Sequence, residues 1–178
     1  TIGLAVVIRS VVVLIWGGFL PAGKSALEMV DPYWLTAMRF GTAALVFIGL
    51  LLVQEGRNAL RSEGQLGKIA LFGACGFAGF GLCVFEGLKL TRAEIGAMIL
   101  ALGPIQVALF QWWRTHRRPD NFTLAAIALA LVGELFVITS GDFARLTGGD
   151  ARGNGLVFLA SLFWTAYTLG GQQFPGWS

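Results

Sequence analysis

Six apolar runs, separated by short polar segments, follow one another along the chain. They occupy residues 2–23, 33–53, 67–88, 93–113, 123–140 and 155–173. Each run has about the 20 residues that an α-helix needs to cross the hydrocarbon core of a bilayer. The runs are too long for the strands of a membrane barrel, and lipid tolerates only helices or closed barrels. The pattern therefore predicts an all-α, polytopic membrane helix bundle with six spans.

The polar segments between these runs contain residues that end one helix and begin the next. Asp31-Pro32 predicts such a stop and restart before the second run, and Pro119-Asp120 predicts one before the fifth. Residues 89–92 predict a tight turn. Residues 54–66 and 141–154 are polar and predict exposed loops.

Composition and charge support a membrane protein. The chain is 56% hydrophobic and 13% charged, with a mean hydropathy of +0.72, which exceeds what a soluble domain of this length can bury. The net charge of +3 is scattered, so we expect no nucleic-acid partner. The compact basic segment RTHRR at 114–118 favours a cytoplasmic N-terminus in the cell inner membrane by the positive-inside rule.

The first and sixth runs share a pattern of aromatic and small residues. When VVVLIWGGFLPAGKS (11–25) is aligned with LASLFWTAYTLGGQQ (159–173), Trp16 falls on Trp164 and Phe19 on Tyr167. Leu14 and Gly23 likewise fall on Leu162 and Gly171. Five spans separate the two copies, so the second would cross the membrane in the opposite direction. Inverted repeats of this kind are typical of secondary transporters.

Several short motifs follow one another along the whole chain. They are Trp16-Gly17, Asp31-Pro32 followed by LTAMRF (35–40), GLKLTRAEIGAMILALGPIQ (87–106), Gly133 in the fifth run, and FWTAYT (163–168). In their order and spacing they resemble the EamA family of the drug/metabolite transporter superfamily. The fourth span of such proteins usually ends in a Gly-Glu pair. Here QWWRTHRRP (111–119) stands in its place, which puts any role for that acid in doubt.

The resemblance implies a protein of ten spans in two inverted five-helix repeats that moves small organic metabolites, often amino acids, without ATP. The chain would then comprise a first repeat (1–140), an extramembrane loop (141–154) and the first helix of a second repeat (155–178). Since it contains six spans, we expect it to be part of a longer protein.

Charged residues inside the spans are candidates for function, because each is costly in lipid. Glu134 in the fifth span is a candidate for proton coupling, with a helix contact as the alternative. Arg39 in the second span is a candidate for binding a substrate carboxylate, or it extends to the membrane interface. Glu86 is expected to pair with Lys89, and Lys24 to anchor the end of the first span.

Aromatic and amide side chains near the middle of the spans predict a substrate cavity. Trp16, Trp164, Tyr167 and Gln106 are the candidate lining residues, with ordinary packing as the alternative. Pro104 lacks an amide hydrogen, so it predicts a kink in the fourth span. A stripe of small residues in the third span, Cys75, Gly79, Cys83 and Gly87, predicts close helix packing within the protein or across a homodimer.

The sequence offers no catalytic or metal-binding pattern. His116 is the only histidine, no Ser-His-acid set can be assembled within the spans, and no phosphate-binding loop occurs. We therefore expect no enzyme activity, metal or cofactor. The prediction is a secondary transporter of small metabolites, such as amino acids, that works by alternating access. The alternatives are a small multidrug exporter and a structural membrane subunit. An acid in the first span would be expected in a transporter of cationic drugs, and the first span has no carboxylate before Glu28, which disfavours the multidrug exporter.

Overall fold

The regular elements of the protein are helical throughout the part that the computed structural model describes, residues 2–56, 64–139 and 150–173. These elements are α1 (Ile2–Ala26), α2 (Pro32–Gln54), α3 (Leu66–Gly73), a π-helix (Ala74–Gly79), α4 (Phe80–Leu90), α5 (Ala93–Leu100), α6 (Gly103–Thr115), α7 (Asn121–Thr139) and α8 (Ala151–Gly171). The π-helix joins α3 to α4, and a short turn joins α5 to α6. Six helical segments result, which confirms the prediction of an all-α protein.

Four of the six segments are long and apolar enough to cross a membrane. They are Ala5–Ala26, Pro32–Gln54, Leu66–Leu90 and Ala93–Thr115. Helix α7 is described with its side chains without a gap from Asn121 to Gly133, and this part is apolar as well. In α8 the hydropathy is reduced by polar side chains such as Asn154 and Ser161, which bond to neighbouring helices. The polar face of α8 is therefore directed into the bundle and away from lipid.

Three aspartates begin helices in the way that helix-capping chemistry predicts. Asp31 accepts a hydrogen bond from the Tyr33 amide at 2.9 Å, and Pro32 occupies the first turn of α2. Asp120 accepts from the Thr123 amide at 3.0 Å, at the start of α7. Asp150 accepts from the Arg152 amide at 2.6 Å, so α8 begins at Ala151. Residues 151–154, predicted as loop, are therefore helical, and residues 140–149 lie outside the description.

The relative directions of the helices follow from their side-chain contacts. Phe19 stacks near Phe80, and Lys24 donates a hydrogen bond to the Leu88 carbonyl, so α1 runs parallel to α4. The third segment and α8 are antiparallel. Gly79 of the π-helix lies at Phe163, whereas Gly87, further along α4, lies at Val157, which is earlier in α8. It follows that α8 is antiparallel to α1. The buried core lies between these helices and comprises Leu20, Phe80, Val84, Phe85, Leu88 and Ala160.

Glycines allow the third segment and α8 to approach at backbone distance. A Cβ on Gly87 would lie 2.8 Å from the Gly153 carbonyl oxygen, and one on Gly153 would lie 2.8 Å from the Leu90 Cβ. The predicted stripe therefore packs within this chain at Gly79 and Gly87. In the π-helix the buried residue is Gly76, against the Tyr167 ring, while Cys75 is half-buried.

Polar contacts tie α1, α2, α4 and α8 together at one end of the bundle. The Lys24 ammonium donates to the carbonyls of Leu88 and Thr91, the latter at 2.8 Å, which caps the end of α4. The Thr91 hydroxyl donates to the Asn154 amide oxygen at 2.6 Å. The expected Glu86–Lys89 pair is wrong, because Lys89 Nζ lies 3.6 Å from Asp31 Oδ2. Asp31, at the nearby start of α2, takes the place of Glu86 as the partner of Lys89.

Candidate functional site

A cavity of about 570 Å³ lies between α1, α4, α5 and α8, and we call it the main cavity. Its volume is within the range of small-molecule sites in proteins. Four aromatic rings, contributed by three helices, form much of its wall. The lining residues are Trp16, Gly17, Phe19, Leu20, Pro21, Phe80, Ala93, Glu94, Ala97, Leu100, Ala101, Gly103, Ser161 and Trp164.

The rings of Trp16 and Trp164 meet edge to face, with centroids 5.6 Å apart. Trp164 also contacts Phe80 at 5.1 Å, and Phe19 contacts Phe80 at 6.3 Å. These are the separations that aromatic pairs favour, so the cluster holds its own shape. The sequence-predicted pair Trp16 and Trp164 is thus brought together at the wall of the main cavity.

Tyr167 lies one turn beyond Trp164 and contacts it at 5.5 Å. Its ring covers Gly76 of the π-helix and contacts Phe77 at 5.2 Å. Tyr167 is absent from the lining of the main cavity. The structure therefore places it behind Trp164, where it supports the position of that ring.

Gln106 connects α6 to α8 through both ends of its amide. Its Nε2 donates to the Ser161 hydroxyl at 2.7 Å, and its Oε1 accepts from the Thr165 hydroxyl at 3.1 Å. Ser161 and Thr165 are 3% and 5% exposed, so both hydrogen bonds lie in the interior of the protein. Gln106 borders a different cavity, together with residues such as Phe110. It positions α8 and does not line the main cavity.

The fourth segment is interrupted beside the main cavity. Helix α5 ends at Leu100, α6 begins at Gly103, and Pro104 lies in the first turn of α6. Because Pro104 has no amide hydrogen, the Leu100 carbonyl lacks its usual helical donor. Leu100, Ala101 and Gly103 line the cavity at this interruption, so irregular backbone borders the space.

Arg39 lies on the opposite side of the α1 aromatic residues. Its guanidinium carbon is 4.2 Å from the Phe19 ring centroid and 4.9 Å from that of Phe40, close enough for cation–π attraction. Arg39 borders a groove of about 590 Å³ between α1 and α2, which we call the α1–α2 groove. Its Nη1 is buried and has no hydrogen-bond partner among the described residues. Trp16 and Phe19 border both this groove and the main cavity.

The backbone of Glu134 lies in α7 (Asn121–Thr139), and its side chain is outside the described part of the protein. The described residues of α7 do not line the main cavity. Thr123 and Ile127 of α7 border a neighbouring space together with Trp164.

Sequence reasoning missed two polar residues of the main cavity, Glu94 and Ser161. Glu94 lies in the first turn of α5, and its carboxylate pairs with Arg92, with Nε and Oε2 3.4 Å apart. It is the second residue of the fourth predicted run, 93–113, and at the edge of a span a charge is less costly and gives little signal of function. Ser161 precedes Trp164 by three residues, about one helical turn, so the two side chains lie on the same face of the helix. This spacing was the signal that could have identified Ser161.

The comparisons with known proteins agree with a membrane transporter. The profile described as "EamA-like transporter family" matches residues 3–139. The chain is 33% identical over 168 residues to "Uncharacterized transporter YrdR" of Bacillus subtilis (strain 168), covering 92% of the chain and 52% of that protein. It is 27% identical over 163 residues to "Uncharacterized transporter YyaM" of the same organism, covering 89% and 52%. The chain spans about half the length of these curated relatives, and no solved structure gives a significant match.

Proposed function

Because the chain belongs to the EamA-like transporter family, we propose that it serves in a secondary transporter of small organic metabolites, such as amino acids. Transport would proceed by alternating access through the main cavity. The observation that supports this most is the aromatic wall shared by α1, α4 and α8, where Trp16 and Trp164 meet. Such walls supply contact area to a small ligand without requiring charged groups in the membrane.

The contact between Trp16 and Trp164 also supports the inverted-repeat arrangement. When two elements are related by a two-fold axis, equivalent residues contact each other at that axis. The two tryptophans are equivalent in the aligned first and sixth runs, and the helices that carry them are antiparallel. We therefore place the axis of a ten-span protein, built from two five-helix repeats, at this pair. The matched relatives, about twice as long as this chain, provide room for ten spans.

Arg39 and Glu134 have separate proposed roles in this scheme. Arg39 would bind a carboxylate in the α1–α2 groove, because its buried Nη1 has an unused hydrogen-bonding capacity. Glu134 would couple transport to protons, because an acid within an apolar helix is costly unless it has a function. The N-terminus would face the cytoplasm, in the cell inner membrane, as the basic segment 114–118 favours.

The test is counterflow with the full-length protein in liposomes loaded with unlabelled metabolites. We expect saturable uptake of labelled amino acids. Trp164→Ala should reduce it about tenfold or more, because the ligand loses the contact with this ring, and tenfold corresponds to about 1.4 kcal/mol of binding free energy. Trp34→Ala is the matched control, because Trp34 is 68% exposed and should stay within about twofold of the parent.

The other outcomes of these measurements would change the proposed function or the proposed site. Exchange of a cationic dye alone would make the protein a multidrug exporter. If folded protein exchanges none of the amino acids, sugars or dyes offered, the transporter proposal fails and a structural membrane subunit takes its place. Equal loss in Trp34→Ala and Trp164→Ala would remove the main cavity as the transport site.

A further inference from the structure

An apolar groove lies between α6 and α7, at the end where these two helices are joined. Its volume is about 540 Å³, and we call it the α6–α7 groove. The walls are apolar side chains of both helices, such as Leu109 and Trp112 of α6 and Leu124 of α7, all three of which are exposed. Exposed apolar walls on two membrane helices are suited to an acyl chain of the bilayer.

One end of this groove is positively charged. The left-handed backbone of His116, with φ 54°, ends α6, and the connection that follows leads into α7. Arg118 and Pro119 of this connection line the groove, and Arg118 is the one charged side chain among the described residues that do so. The span Ala93–Thr115 and the apolar part of α7 both end at this connection, so Arg118 lies at the level of the lipid headgroups.

The guanidinium of Arg118 can bind a phosphate without giving up a strong interaction. Its Nη2 donates to the Asn121 side-chain oxygen at 3.4 Å, which is long for a hydrogen bond. The acid closest to it along the chain, Asp120, accepts from the Thr123 amide at 3.0 Å, and among the described residues Arg118 makes no ion pair. A guanidinium presents its donors in a planar fork that matches two oxygens of a phosphate.

We propose that the α6–α7 groove binds an anionic phospholipid of the membrane, with the phosphate on Arg118 and one acyl chain along the apolar walls. Charge and shape both support this occupant, because the groove is apolar along its length and cationic at its headgroup end. Residues 114–120 contain three arginines and one acid, so the surrounding surface attracts anionic headgroups as well. The inference goes beyond the proposed function, since a lipid site can exist in a protein that moves any substrate or none.

The test is native mass spectrometry of the full-length protein in detergent, titrated with phosphatidylglycerol or with phosphatidylcholine of the same acyl chains. We expect the parent to bind the anionic lipid about tenfold or more tightly than the zwitterionic one. Arg118→Gln should weaken phosphatidylglycerol binding about twentyfold or more, because it removes a charge-assisted hydrogen bond. Arg117→Gln is the matched control. It removes the same charge one residue away, outside the groove lining, and should weaken binding about fivefold or less.

A second pair of variants tests the apolar walls. Ala128 lines the groove and is exposed, so Ala128→Phe should fill the groove and weaken phosphatidylglycerol binding about tenfold while the protein stays folded. Ala126→Phe is its control, because Ala126 is exposed on α7 outside the groove lining, and binding should stay within about twofold of the parent.

Three outcomes would overturn the inference. Equal losses in Arg118→Gln and Arg117→Gln would show a diffuse attraction to the basic segment. Equal affinity of the parent for the two lipids would show that the groove takes no anionic lipid, as when another part of the full-length protein or a second copy covers it. Competition by glycerol 3-phosphate, which carries the phosphate without acyl chains, would make this a site for soluble phosphate esters, and we expect none.

Discussion

Asp120 is exposed and caps the first turn of α7. Hydrogen bonds donated by the Thr123 hydroxyl and the Thr123 amide hold the pKa of its carboxyl below the ordinary value. Since the folded pKa is lowered, the ionised carboxylate contributes to stability above the ordinary carboxyl pKa. That contribution is lost as the pH falls through the lowered pKa.

We predict that Asp120→Ala exposes the first turn of α7, whereas Asp120→Asn does not. Asparagine caps a helix about as well as aspartate, and it has no carboxyl to titrate. The measurement is amide hydrogen exchange at Thr123 and Leu124, corrected for the intrinsic effect of pH. Protection in the parent should fall in acid below the ordinary carboxyl pKa, and protection in Asp120→Asn should not. Equal loss of protection in both variants at neutral pH would contradict the capping role.

The sequence identified the residue types of the site more reliably than their surroundings. Trp16 and Trp164 were found because their depth in the spans and the likeness of the two runs that carry them can be read along the chain. Gln106 and Arg39 were also noticed, but the direction of a side chain around its helix depends on how that helix is rotated in the bundle. Glu94 was missed because its distance from the other lining residues along the chain hides their proximity in space.

The contact between α4 and α8 depends on residues that lack a side chain. Gly87 and Gly153 face each other, and a Cβ added at Gly87 would lie 2.7 Å from the Val157 Cγ2 and 2.8 Å from the Gly153 carbonyl oxygen. The second of these neighbours is backbone, which cannot rotate away. The two helices would therefore have to separate.

We predict that Gly87→Ala lowers the stability of the protein in detergent, despite the better helix propensity of alanine. Overpacking typically costs about 1–3 kcal/mol, and exchanging Gly for Ala in a helix returns about 1 kcal/mol. A net loss of up to about 2 kcal/mol should appear as a lower unfolding midpoint. Gly67→Ala is the control, since a Cβ there meets nothing within 4 Å and should be neutral or stabilising. Equal midpoints for the two variants would show that α4 and α8 can separate without cost.

The starts of α2 and α7 could be predicted because their causes are local. Asp31 and Asp120 each accept a hydrogen bond from an amide two or three residues further on, so the adjacent sequence contains the whole interaction. Asp150 accepts an equally local bond from the Arg152 amide, but the start of α8 was missed because the polar segment 141–154 was interpreted as a loop. The π-helix at Ala74–Gly79 was not predicted from the sequence. It coincides with the place where Tyr167 of α8 covers Gly76, a contact between residues far apart along the chain.

Polar contacts between the helices gather at one end of the bundle. Lys24, Lys89 and Thr91 make their bonds at the end where α4 turns into α5. At the opposite end, residues 5–18 of α1 and 44–50 of α2 are exposed, whereas Gly170 of α8 packs against the Phe72 ring. The end with the polar contacts carries the interactions that would have to break if that side of the bundle opened.

The directions of α1 and α8 lead to a prediction about membrane topology. The start of α8 lies at the end of α4, because the Asp150 amide donates to the Leu90 carbonyl at 3.4 Å, and the end of α1 lies there too, through Lys24. Arg152 should therefore be on the same side of the membrane as Met29, and Gly3 on the opposite side. We propose single-cysteine variants at these three positions of the full-length protein, with Cys75 and Cys83 replaced.

A membrane-impermeant thiol reagent applied to intact cells should label Met29→Cys and Arg152→Cys but not Gly3→Cys, if the N-terminus is cytoplasmic. Labelling of Gly3→Cys alone would reverse the orientation and leave the inverted relationship intact, because the reagent would still separate the starts of α1 and α8. Labelling of Gly3→Cys together with Arg152→Cys would place both helix starts on one side. The first and sixth helices would then be parallel, and the meeting of Trp16 with Trp164 could no longer mark a two-fold axis between inverted repeats.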